Sequence, residues 1–154
     1  MPIATAQSVD LDRYQGRWFE IARYPNSFER GCDGVTADYG ARPDGLVFVR
    51  NTCQRGDSVN VAEGYARVVP GSSNAKLRVS FAPEWVSFAE GDYWILFVEE
   101  NYQTALVGSP SGRRLWILAR TPMIDTTTRN RLEAVARSNG FDPAMLENTM
   151  QAPR

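Results

Sequence analysis

Between Arg17 and Thr121 the chain runs in short β-branched and aromatic segments with partial apolar-polar alternation, and Gly, Pro, Asn or Asp interrupts them at short intervals. A period of two broken by turn residues is the signature of an antiparallel meander. Eight strands are predicted, at 17–24, 34–41, 46–54, 58–67, 76–82, 92–99, 103–109 and 114–120. Pro43-Asp44-Gly45 and Pro110-Ser111-Gly112 supply tight turns. Two connections are long for hairpins, Pro25 to Asp33 and Pro83 to Gly91. They carry Phe28, Trp85 and Phe88, so they are expected to cover or contact something. Past Pro122 the period lengthens. Asp125 offers an N-cap, Leu132, Val135 and Ala136 share one helical face, and Gly140 stands at a C′ position, which predicts a helix over about 126–139. Asp142-Pro143 then starts one short final turn.

Eight sequential antiparallel strands expose two edges unless the sheet closes on itself. The expected fold is therefore all-β: an eight-stranded antiparallel up-and-down barrel over about 17–120, with the C-terminal α-helix outside, in one domain spanning 1–154. Closure makes the first and last strands neighbours. Trp18, just after Gly16, then meets Arg120, which shares strand parity with Trp116 and Leu118. A guanidinium over an indole is worth about 0.5–2 kcal/mol and still donates to carbonyls, so Gly16, Trp18 and Arg120 are expected to form a barrel floor.

Composition narrows the chemistry. The 154 residues carry 17 Lys+Arg against 18 Asp+Glu, which gives no basic surface for a phosphate backbone, and nucleic acid is not an expected partner. Histidine is absent, which removes Ser-His and Cys-His nucleophile pairs, imidazole metal sites and His-ligated haem. No cofactor, metal or catalytic residue is expected. No apolar run reaches the length of a membrane span, and the opening MPIATAQSVD has neither a basic nor an apolar signal region, although a removed export signal leaves the same picture.

The segments GRWFEIARYPNSFERG, ENYQTALVGSPSGRRLWILARTP and ARSNGFD resemble those of bacterial lipocalins of the outer-membrane lipoprotein Blc type, relatives of apolipoprotein D, from about Val9 to Phe141. Gly16-x-Trp18 followed by Glu20-Ile21-Ala22-Arg23, paired with Leu115 to Arg120 far downstream, carries the resemblance. Glu100-Asn101-Tyr102 stands where many lipocalins have Thr-Asp-Tyr. The resemblance implies a carrier of a small hydrophobic ligand, in this branch a fatty acid or lysophospholipid, with no enzymatic step. It also implies a periplasmic location, associated with the outer membrane if anchored, but the lipoprotein cysteine of the branch is not seen here.

Strand parity supplies candidate cavity residues: Tyr39, Val49, Asn51, Phe81, Tyr93, Ile95, Phe97, Trp116 and Leu118. The fourth strand presents Asn60, Ala62, Gly64 and Ala66 on one face, and Ala62 joins the ligand-binding set because small inward residues leave space. Tyr39, Asn51 and Tyr93 read equally well as core polar groups bonded to a neighbour. Arg17, Glu20, Arg23, Arg113 and Arg114 are assigned to the solvated exterior. Cys32 and Cys53 fall near cross-strand register about the Pro43-Asp44 turn, which predicts a disulfide and an oxidising compartment. Rival readings are a carrier of ring compounds such as steroids or bilins, a thiol-dependent enzyme on lipid peroxides, and a filled barrel with a structural or dimerising role. A homodimer and peripheral membrane association stay open.

Overall fold

The computed structural model describes residues 3–26, 29–81 and 91–151; Phe28, Trp85 and Phe88 of the two long connections lie outside the described residues. Eight antiparallel strands follow one another around a closed barrel: β1 (Gly16–Arg23), β2 (Asp33–Ala41), β3 (Val47–Arg55), β4 (Ser58–Val68), β5 (Lys76–Ser80), β6 (Gly91–Val98), β7 (Thr104–Gly108) and β8 (Leu115–Ala119). β1 closes the ring by pairing with β8 through Phe19↔Ala119 and with β2 through Trp18↔Ala37. The predicted strands agree with these to within a residue or two at most ends. Closure leaves no edge in the lower barrel, which is why a meander of this length is stable as a single sheet.

Among the described residues, four further elements decorate the barrel. A single helical turn, α1 (Leu11–Tyr14), precedes β1 and is capped by the Asp10 carboxylate, which accepts from the amides of Asp12 and Arg13. It is too short to leave a periodic trace in the sequence. Helix α2 (Thr126–Ser138) starts at the Asp125 cap, whose side chain accepts from the Thr128 amide at 2.7 Å. A 3₁₀ turn over Pro143–Met145 leads to β9 (Glu147–Asn148), a two-residue strand that pairs outside the ring with Ala22 and Arg23 of β1. Cys32, next to β2, and Cys53 of β3 form the expected disulfide, with Cα atoms 5.2 Å apart.

Two bulges decide which side chains face inward. β1 shifts register between Glu20 and Ala22, so Ile21 and Ala22 both lie against α2 and Arg23 turns back to the interior. β6 shifts between Ile95 and Phe97. Ile95 stays inside the barrel, while Leu96 and Phe97 both join the outer layer with Leu106, Ile117, Leu132 and Ala136. The protein therefore has an inner core built around Trp18, Val49, Ile95 and Leu118 and a second core between the barrel wall and α2.

β4 reaches beyond β5. Its residues from Ser58 pair with β3, but the pairing with β5 starts only at Tyr65↔Ser80. Ala62 is consequently exposed on a projecting hairpin. At Gly64 the β5 backbone crosses so closely that a Cβ would lie 2.0 Å from the Ser80 carbonyl oxygen and 2.9 Å from Phe81 Cα. The missing side chain permits a backbone crossing and does not widen the lumen. Gly64→Ala should destabilise the protein by about 2–3 kcal/mol in urea unfolding, because the barrel must open locally to seat the methyl; a change within about 0.5 kcal/mol would contradict the close approach.

Candidate functional site: a plugged barrel with an internal cavity

The floor is built from both ends of the meander. Gly16 enters β1 at φ +96°, a conformation that favours glycine, and its open side faces Arg120 Nη1, 3.5 Å from where a Cβ would sit. Trp18 is fully buried, and its indole Nε1 donates to the Tyr14 carbonyl at 2.8 Å. The Arg120 guanidinium lies 3.8 Å above the Trp18 ring and donates three hydrogen bonds, to the carbonyls of Tyr102 (3.1 Å), Arg17 (3.0 Å) and Arg13 (2.7 Å). One side chain thus ties α1, β1 and the β6–β7 turn together. Tyr102 itself has φ +56°, accepts the Asp10 amide on its hydroxyl and stacks under Arg13. Burial pushes Arg120 below the ordinary arginine value, and Tyr14 and Tyr93 oppose that shift.

Above the floor the lumen is divided. Tyr14 and Tyr93 share a 2.7 Å hydroxyl hydrogen bond, and the Tyr39 ring meets Tyr93 edge-on at 5.7 Å. Burial raises the pKa of all three phenols above the usual tyrosine range, which keeps them protonated. This layer separates a lower cavity of about 190 Å³ from an upper one of about 440 Å³, and Tyr39, Tyr93 and Val79 line both.

Most of the cavity residues expected from parity are in the lumen. Tyr39, Val49, Asn51, Phe81, Tyr93, Trp116 and Leu118 line the upper cavity, with Val35, Ala37 and Val79 beside them. Ile95 lines the lower one. Phe97 and Ala62 line neither: the β6 bulge carries Phe97 to the outer core, and Ala62 projects past the barrel with the β3–β4 hairpin.

The upper cavity is not purely apolar. Glu20 and Arg23, assigned to the exterior from sequence, are only 3% and 6% exposed. Glu20 follows Trp18 at the inward parity, and the β1 bulge brings Arg23 round to it. Arg23 Nη1 donates to Glu20 Oε2 at 2.8 Å, and Nη2 donates to the carbonyls of Glu29 and Cys32. The Thr149 hydroxyl donates to the same Glu20 oxygen at 2.5 Å. Glu29 receives the Asn26 amide at 2.8 Å and the Trp116 indole N–H at 3.4 Å. Desolvation, reinforced by a hydrogen bond and charge repulsion from Glu29, holds the Glu20 carboxyl well above the usual carboxylate range, against the pull of Thr149 and Arg23. Glu20 was visible to parity; Glu29, on an irregular segment, left no periodic signal. Arg114 also borders the cavity, whereas Arg17 stays outside, paired with Asp38 at 3.0 Å.

A one-ended antiparallel barrel, plugged below and hollow above, is the architecture of a small-ligand-binding protein. Residues 9–151 match the lipocalin-like domain family, and the chain belongs to the lipocalins. It is 37% identical over 152 residues to temperature-induced lipocalin-1 of Arabidopsis thaliana, covering 95% of this chain and 81% of the relative. Against the outer membrane lipoprotein Blc of Escherichia coli K12 the identity is 37% over 142 residues, covering 91% and 78%. Insecticyanin from the tobacco hornworm Manduca sexta superimposes with a TM-score of 0.78 at 16% identity, covering 97% of this chain and 84% of that one.

Replacing Trp18 by Ala should cost about 3–5 kcal/mol of stability, as removal of a fully buried indole does. Ligand preference in the folded fraction should stay unchanged, as measured by ligand competition on the refolded variant. A variant of full stability with altered preference would place Trp18 in the binding site and not in the floor.

Proposed function

We propose that the protein carries a single-chain lipid, a fatty acid or lysophospholipid, in its upper cavity and performs no covalent chemistry on it. The observation behind this reading is the roughly 440 Å³ chamber lined by Trp116, Leu118, Val49, Val35 and Phe81 above a plugged floor. Membership of the lipocalin family supports it. A thiol-dependent reaction loses its nucleophile, because Cys32 and Cys53 are bonded to each other. Transport through the bacterial envelope is the setting we favour, since relatives include an outer membrane lipoprotein and the disulfide suits an oxidising compartment.

A second reading has its own support. The tyrosine layer closes the bottom of the upper chamber, which suits a compact ring-type hydrophobe better than a long extended chain. Chain length separates the two. A buried methylene is worth about 0.8 kcal/mol, so the affinity of a fatty acid series should climb with length and reach a dissociation constant near micromolar once the costs of binding are met. Binding should quench tryptophan emission, and Trp116→Ala should remove most of that signal and weaken binding by about 1–2 kcal/mol. Failure of every fatty acid and lysophospholipid to bind below about 100 µM would end the lipid reading. Tight binding of a steroid with no gain along the lipid series would replace it with the ring-compound carrier.

A further inference from the structure

We propose that the upper cavity ranks the single-chain lipids it carries by the charge of their polar end: a hydroxyl or ammonium end binds more tightly than a carboxylate, which makes a fatty acid the weaker-bound member of a chain-matched set. The cavity holds the carboxyl groups of Glu20, Glu29 and Asp92. Among the described residues, the charged groups around them come from β1, β5, β6, β9 and the start of β8. From β1, Arg23 is committed to Glu20 at 2.8 Å and lies 3.6 Å from Glu29 and 3.4 Å from Glu147 of β9, so one guanidinium faces three carboxyl groups. From β6, Asp92 binds Arg78 of β5 at 2.6 Å. Arg114, before β8, borders the same space and has interactions of its own. Trp116 and Thr149 contribute only neutral donors.

The acid pair therefore shares one guanidinium, which lies 2.8 Å from Glu20 and 3.6 Å from Glu29. Burial and the neighbouring Glu29 already favour the protonated form of Glu20. A ligand carboxylate brought within a few ångströms would add one more anion to this low-dielectric space, at the same kind of electrostatic cost. A hydroxyl or ammonium does the opposite, because it donates to a carboxylate oxygen. Glu29 is the selecting group best placed to meet it, standing on the segment after β1 at the open half of the barrel, beside Trp116.

Chain-matched probes test the idea on the intact, delipidated protein: dodecan-1-ol, dodecylamine and dodecanoate at neutral pH, followed by tryptophan emission and equilibrium dialysis. Selection rests on the carrier reading, and the outcomes separate the two. The alcohol and the amine should bind at least about tenfold more tightly than the carboxylate. Glu29→Gln, which keeps the shape and removes the charge, should shrink that preference to about twofold or less while the alcohol still binds. Equal affinity for all three heads, or tighter binding of the carboxylate, overturns charge selection and leaves the carrier intact. An undiminished preference in folded Glu29→Gln overturns the role of Glu29 as the selecting group. If none of the three binds, the carrier reading fails and selection falls with it.

Discussion

The contact between the Arg120 guanidinium and the Trp18 indole is the constraint on which the rest of the molecule depends. A closed barrel has two open ends, and a hollow one with both ends wet would gain little from closure. Here the end of the last strand delivers a cation onto the first aromatic of the first strand, at 3.8 Å, and three carbonyls from three separate segments converge on its N–H groups. The charge is tolerable under partial burial because one face of the guanidinium lies on the indole and three of its N–H groups donate to carbonyls. With that end sealed, the opposite end is the natural place for a ligand to enter, and the tyrosine layer sets how deep it goes.

The architecture was legible because its signals are local and repeated. Alternation fixed the strands, turn residues fixed their limits, and the Asp125 and Gly140 boundaries fixed the helix. The floor could be paired from sequence because closure forces the first and last strands together. What parity could not supply was the effect of a single extra residue. The bulge in β1 reversed Arg23 from outside to inside, and the bulge in β6 moved Phe97 out of the lumen. A bulge reverses every later residue on its strand, and neither GRWFEIAR nor DYWILFV announces one by composition. Ala62 and Gly64 failed as space-makers for another reason: a small residue signals either room or close approach, and the β4–β5 crossing chose the latter.

Those same bulges give the cavity its character. Without the β1 shift, Glu20 would be buried beside an inward Ala22 and without its guanidinium, a charge that a barrel interior could not keep. With it, Glu20, Arg23, Thr149 and Glu29 form one connected polar cluster at the chamber wall, held from behind by β9. The short ninth strand, a minor feature of the topology, therefore brings Glu147 and its neighbour Thr149 up against the site.

Native mass spectrometry of the protein incubated with a single-chain lipid, followed by extraction and identification of whatever is bound, tests the central claim most directly. A chamber of about 440 Å³ above one sealed floor predicts one lipid per chain, displaced when a competing hydrophobe is added. Only the bare chain mass, at lipid concentrations approaching about 100 µM, would contradict the account and leave a filled barrel in its place.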